Sequence, residues 1–247
     1  MSILLFLFIV WAYYFASLFM HSFFLHRYFT HAQFSMSKNW EKFFYVMTWL
    51  LQGSAFLEPE PYRKLHLHHH AHSDKPGDPH SPWNFANIIE MTLRTKDIFI
   101  EIKYGTNEIA RLYKDRELPR WPHFIQFSNS QFSMFLFLVL YLLFYIFCAP
   151  AWWCWIFFPI TLLSGPIQGA VINWFGHKYG YVNYELDDKS RNTPILGSFT
   201  IGECYQNNHH AEPLNPNFGR KWHEFDAAYQ LIRLFNWMGI ITIQKAA

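Results

Sequence analysis

Two long apolar stretches, Ile3 to Leu25 and Phe132 to Phe175, restrict this chain to folds that meet a bilayer. A helical crossing takes roughly 20 apolar residues. The first stretch has that length, interrupted only by Ser17, His21 and Ser22, and the second is long enough for two crossings. Pro150, between Ala149 and Ala151, marks a tight turn that makes the second stretch a helical hairpin. Trp152, Trp153 and Trp155 beside it suit an aromatic belt. A further apolar run, Phe43 to Leu57, is only about fifteen residues and contains Gln52, Gly53 and Ser54. It reads as a buried or interfacial helix that does not cross. Charged residues make up 15% of the chain, below the quarter or so of soluble domains. The expected fold is therefore an all-α integral membrane protein with about three transmembrane helices (about 3–25, 132–149 and 151–175). A helical cytosolic cap (26–131 and 176–247) completes a single domain, 1–247.

Basic residues set the orientation. Thirteen Lys and Arg lie between Arg27 and Arg120, seven between Lys178 and Lys245, and none at the N-terminus or in the hairpin turn. The positive-inside tendency places that face in the cytosol. The N-terminal run lacks a basic n-region and is too long for a cleaved signal, so it reads as a membrane helix. A net charge of +2 without a basic tract speaks against a nucleic-acid partner. Cys148, Cys154 and Cys204 form neither a zinc-type pair nor a disulfide framework.

Histidines cluster on that same face. His26 and His31 are five apart, about 140° around an α-helix, so they would approach a metal pair from two sides. His66, His69 and His70 share one helical face. Asn173 and His177 stand one turn apart, and His209 and His210 form a further pair. Neutral imidazole is the commonest protein ligand for redox-capable first-row metals. Eight such nitrogens exceed one tetrahedral zinc and suit two metals with open positions. His21 reads as a packing residue, His68 and His72 as solvated or supporting groups, and His123 and His223 as surface residues.

The arrangement resembles the membrane fatty acyl desaturases of the stearoyl-CoA desaturase type, from about Phe19 to Ile240, most closely the bacterial acyl-CoA desaturases. His26-Arg27-Tyr28-Phe29-Thr30-His31 is similar to the first family box. His66-Leu67-His68-His69-His70, followed by Asp78-Pro79-His80, is similar to the second. Asn173-Trp174-Phe175-Gly176-His177 and Gln206-Asn207-Asn208-His209-His210 resemble the remaining ligand segments. Gln206 stands where many relatives have histidine, and Arg63-Lys64-Leu65 lacks the Arg-Asp pair common before box two.

The resemblance implies an oxygen-dependent desaturase with two non-haem irons and dioxygen as co-substrate. Its ligands would be His26, His31, His66, His69, His70, His177, His209 and His210, with Asn173 and Gln206 as weaker or water-bridged participants. His80, Asp78, Asp74 and Glu203 would orient ligands. The substrate would be a fatty acyl chain, acyl-CoA or lipid-linked, in a tunnel walled by residues such as Trp11, Tyr14, Phe15, Phe24, Trp49 and Trp174. Arg63, Lys64, Arg220 and Lys221 would meet its headgroup or an acidic donor. Partners would be membrane lipids and a separate electron donor of the ferredoxin, rubredoxin or cytochrome b5 type. The bacterial inner membrane is the expected location, with the site on the cytoplasmic side. Competing readings are a di-iron hydroxylase or ketolase acting on an alkane, carotenoid or sterol, and a metal transporter. A transporter would carry its ligands midway across the helices, whereas these histidines sit at helix ends.

Overall fold

A computed structural model describes residues 1–118, 121–197 and 199–244. Arg120 and Lys245, which close the two basic runs, lie outside the described residues. In chain order the helices are α1 (Ile3–Met20), α2 (Lys38–Gln52), α3 (Pro59–His72), α4 (Ile88–Lys103), α5 (Ile109–Leu112), α6 (Pro122–Ser128), α7 (Gln131–Cys148), α8 (Phe158–Leu162), α9 (Ser164–Gly176), α10 (Gln206–Ala211) and α11 (Ala227–Trp237). Strands β1 (Phe34–Met36) and β2 (Ile241–Ile243) form a small antiparallel pair with Phe34 opposite Ile243.

The protein is mostly helical, and among the described residues two helices are long and apolar enough to cross a membrane, Ile3–Thr30 and Gln131–Cys148. A third candidate span differs from the expected straight helix. It runs through Trp152–Leu162 and Ser164–Gly176 with a 70° bend between them. Pro159 and Pro166 lie on either side of the break; proline lacks the N–H that would continue the helical ladder.

Local signals fix the boundaries. Ser2, Ser37, Asn87, Ser130 and Asp226 cap the N-termini of α1, α2, α4, α7 and α11 with side-chain oxygens. α2 stops at Gly53, whose φ of 54° favours glycine. There α7 crosses closely, so that a Cβ on Gly53 would strike the Tyr141 hydroxyl. This ending keeps α2 from continuing as a span. Pro59 opens α3, where its missing N–H costs nothing.

The segment His21–Thr30 continues α1 as a π-helix. The sequence reading took it as α-helical, and the wider turn corrects the placement of box one. Its i→i+5 bonds, such as His31 N–H to His26 O at 3.1 Å, bring residues five apart toward one side. The apolar faces of this segment, Phe23, Phe24, Leu25 and Phe29, pack with Phe34, Phe44, Tyr45 and Ile232 in the main core. His26 and the core aromatics thus share one element.

Candidate metal centre

Five imidazoles from three parts of the chain converge at one point. His26 and His31 come from the π-helical segment, His66 and His70 from α3, and His209 from α10; their ligand atoms all lie within 4.8 Å of one another. His69, His177 and His210 form a second group on the same criterion. The groups adjoin, with the His70 and His210 rings 4.5 Å apart. All eight histidines expected as ligands are therefore brought together. His26 and His31 belong to the same group instead of flanking the site from two sides.

Carboxylates fix the tautomers. Glu203 Oε2 lies 2.6 Å from His26 Nδ1, Asp78 2.8 Å from His69 Nδ1, Asp74 2.8 Å from His177 Nδ1, and Asp188 2.8 Å from His210 Nδ1. Each carboxylate accepts an Nδ1 proton, leaving Nε2 as a bare lone pair. Glu203 is itself held by Ser22 and by Arg27, which is fully buried and also pairs with Asp226. Asp74, Asp78 and Glu203 stand where the sequence placed ligand-orienting acids. Asp188 was missed; it lies in the loop before box three, with no helical spacing to single it out.

The inward nitrogens face one another rather than a carboxylate or backbone group. Nε2 atoms approach each other at 3.0 Å (His26 to His209, His70 to His66 and His70 to His209) and 3.1 Å (His66 to His31). His177 Nε2 is buried without a partner. Where both facing nitrogens are unprotonated their lone pairs repel, and a cation among them removes the repulsion. Ligands about 2.1 Å from a metal stand about 3.0 Å apart along an octahedral edge, so the spacing fits metal coordination.

Burial, reinforced by neighbouring imidazoles, holds His31, His66, His69, His70 and His209 well below the usual histidine value. They are neutral and competent to ligate at neutral pH. His177 differs: burial opposes its protonation, but the hydrogen bond to Asp74 raises its pKa overall.

Of the weaker participants, Gln206 is buried and donates its Nε2–H to Glu203 O at 2.6 Å, while its Cγ abuts Gly176. Asn173 lines the cavity beside the site, one turn before His177. His80 is buried, its backbone N–H bonds Asp78, and both ring nitrogens lack partners. Among the histidines set aside, His21 meets Gln52 at 3.3 Å, and His68 stacks with His72 beside Tyr113.

An apolar cavity of about 350 Å³ adjoins the centre. It is walled by Tyr62 and Leu65 of α3, Met91 and Phe99 of α4, and Gly169 and Ile172 of α9. None of the six aromatic residues expected as tunnel walls lines it. The helix α4 closes it instead, because that helix folds back over α3 and α9. Arg63, Lys64, Arg220 and Lys221 do not line it either. Arg63 bonds Glu60, Lys64 bonds Asp115, Arg220 bonds Glu212, and the Lys221 ammonium lies over the Tyr181 ring.

The sequence profile of the family described as fatty acid desaturase matches residues 2–236. The chain belongs to the fatty acid desaturase family. It is 28% identical to a Delta-9 desaturase-like 4 protein of Arabidopsis thaliana, over 81% of this chain and 63% of that protein. It is also 28% identical to an acyl-CoA 5-desaturase of Anemone leveillei, over 86% and 63%. A Synechocystis sn-1 stearoyl-lipid 9-desaturase is 26% identical, over 81% and 59%. The chain thus spans less than two thirds of the length of these relatives.

Proposed function

We propose that this protein is an oxygen-dependent fatty acyl desaturase that inserts a double bond into an acyl chain. The observation carrying this reading is the adjacency of two histidine groups to one apolar cavity. His26, His31, His66, His70 and His209 would hold one iron. His69, His177 and His210 would hold the other, with Asn173 and the Gln206 carbonyl as weaker or water-bridged participants. Bound iron would supply the dioxygen chemistry that breaks unactivated C–H bonds.

The chain's own residues do the rest. Glu203, Asp78, Asp74 and Asp188 hold protons at the Nδ1 atoms, so four Nε2 lone pairs face inward before any metal arrives. Tyr62, Leu65, Met91, Phe99 and Ile172 hold the alkyl chain and exclude water from the reacting carbons. His80 lies against His69, their ring centroids 4.2 Å apart, and supports it by packing. Electrons would come from a separate protein of the ferredoxin, rubredoxin or cytochrome b5 type. The exposed Lys221 is suited to meet an acidic donor surface. The distribution of Lys and Arg supports a cytosolic cap, and the bacterial inner membrane is the proposed location.

Product analysis tests the reading. Iron-loaded protein supplied with reductant, dioxygen and a stearoyl substrate should yield a product two hydrogens lighter. A product that gains one oxygen would identify a hydroxylase instead.

A further inference from the structure

The cavity opens at a rim of exposed residues. Its exposed lining residues are Leu93 and Lys96 on α4, and Leu163 and Pro166 at the bend of the third candidate span. Leu163 sits between the two halves of that element, so the opening borders a candidate membrane span. Ile156 and Ile160, which precede it on the same bent element, are also exposed.

The outer face of α4 carries this opening outward as an apolar strip. Ile89, Leu93, Ile100 and Tyr104 are all exposed. At 3.6 residues per turn they fall, together with Lys96, in a stripe about 80° wide. Glu90, Asp97 and Glu101 lie along one flank of the stripe. An amphipathic helix of this kind lies in a membrane interface with its apolar stripe against lipid. A lysine within the stripe extends its ammonium to the level of the headgroup phosphates.

Charge separates the two substrate carriers found among the relatives. A coenzyme A headgroup carries several phosphates and needs a cluster of free cations. Among the described residues Lys96 is the one lysine or arginine on the cavity lining, with the Asp97 carboxylate 3.3 Å from it. Arg63, Lys64 and Arg220 are engaged by carboxylates away from that lining.

We propose that the acyl chain enters laterally from the bilayer, between α4 and the bend at Leu163, as a membrane-resident lipid bearing at most one anionic group. The proposal rests on the desaturase reading and adds the carrier: a glycerolipid acyl ester, not acyl-CoA. Lys96 meets the single phosphate while the alkyl chain passes Gly169 toward the centre.

The iron-loaded protein would be placed in vesicles with reduced ferredoxin and dioxygen, in three arms. The first contains stearoyl phosphatidylglycerol; the others contain non-desaturable branched lipid with added stearic acid or added stearoyl-CoA. We expect conversion of the esterified chain at least about tenfold faster than in either other arm. Equal or faster conversion of stearoyl-CoA or stearic acid overturns the glycerolipid assignment while leaving the desaturase reading intact. No hydrogen loss in any arm counts against that reading itself. A measurement independent of turnover then decides the lateral entry. A nitroxide on Leu93→Cys, in a Cys148→Ala background, should be relaxed more by dioxygen than by a water-soluble nickel chelate. The reverse order would place the rim in water and overturn the proposal.

Discussion

Glu203 Oε2 lies 2.6 Å from His26 Nδ1, joining a residue of the first box to one just before the third across 177 positions of sequence. This contact ties two distant parts of the chain to one imidazole and leaves Nε2 as the bare nitrogen of His26. Arg27 and His26 hold the Glu203 carboxyl well below the usual carboxylate range, against the opposing effect of its burial.

Glu203→Gln keeps the shape and removes the charge that holds the His26 proton. Metal affinity should fall roughly 10- to 100-fold, the usual cost of losing a supporting carboxylate. Iron titration of the purified variant, followed by absorption, measures this. Unchanged affinity would show that His26 is not set by Glu203.

Asp188→Asn applies the same test to the other group, through His210. The variant should lose iron from the His69, His177 and His210 group while retaining the five-histidine group, lowering the iron content toward one per chain. Loss of both metals together would mean that the groups do not fill independently.

Gly169→Leu probes the cavity without disturbing the backbone. A Cβ on Gly169 meets nothing within 4 Å, and the residue lines the cavity between its rim and Asn173. Iron content should match the unaltered protein while turnover of a stearoyl chain falls by at least about tenfold. Full turnover would place the acyl chain elsewhere.

Stability of the metal-free protein should depend on pH in a defined direction. His31, His66, His69, His70, His209 and His210 have folded-state values below 6.5. The unfolded chain therefore binds more protons as pH falls through 6.5, and stability is lost below that point. His177, raised overall by its hydrogen bond to Asp74, and Asp78, pushed up by burial to about 7, oppose the trend but are outnumbered by the six lowered imidazoles. Thermal unfolding in detergent should show Tm lower at pH 5.5 than at 7.5. A rise in Tm on acidification would contradict buried, neutral imidazoles.

The gathering of the histidines was legible in sequence because their spacing groups them at a few points along the chain. His66, His69 and His70 share a face of α3, and His209 and His210 sit together on α10. The π-helical turn at His21–Thr30 was not legible, because a ten-residue segment carries no repeat that separates π from α winding. Asp188 was hidden for a different reason. It reaches His210 through a loop held by the bridges of Asn192 to Tyr181 and Tyr205, which depend on long-range packing. The role of α4 was also obscured. Charges at Glu90, Arg94, Lys96, Asp97 and Glu101 mask the apolar residues with which it walls the cavity.

Iron stoichiometry, with the ligand shell read by X-ray absorption, tests the dinuclear histidine centre most directly. The account predicts about two irons per chain with a predominantly imidazole shell at about 2.1 Å, and loss of iron in both His69→Ala and His209→Ala. A single metal per chain, or full iron retention in both variants, would contradict it.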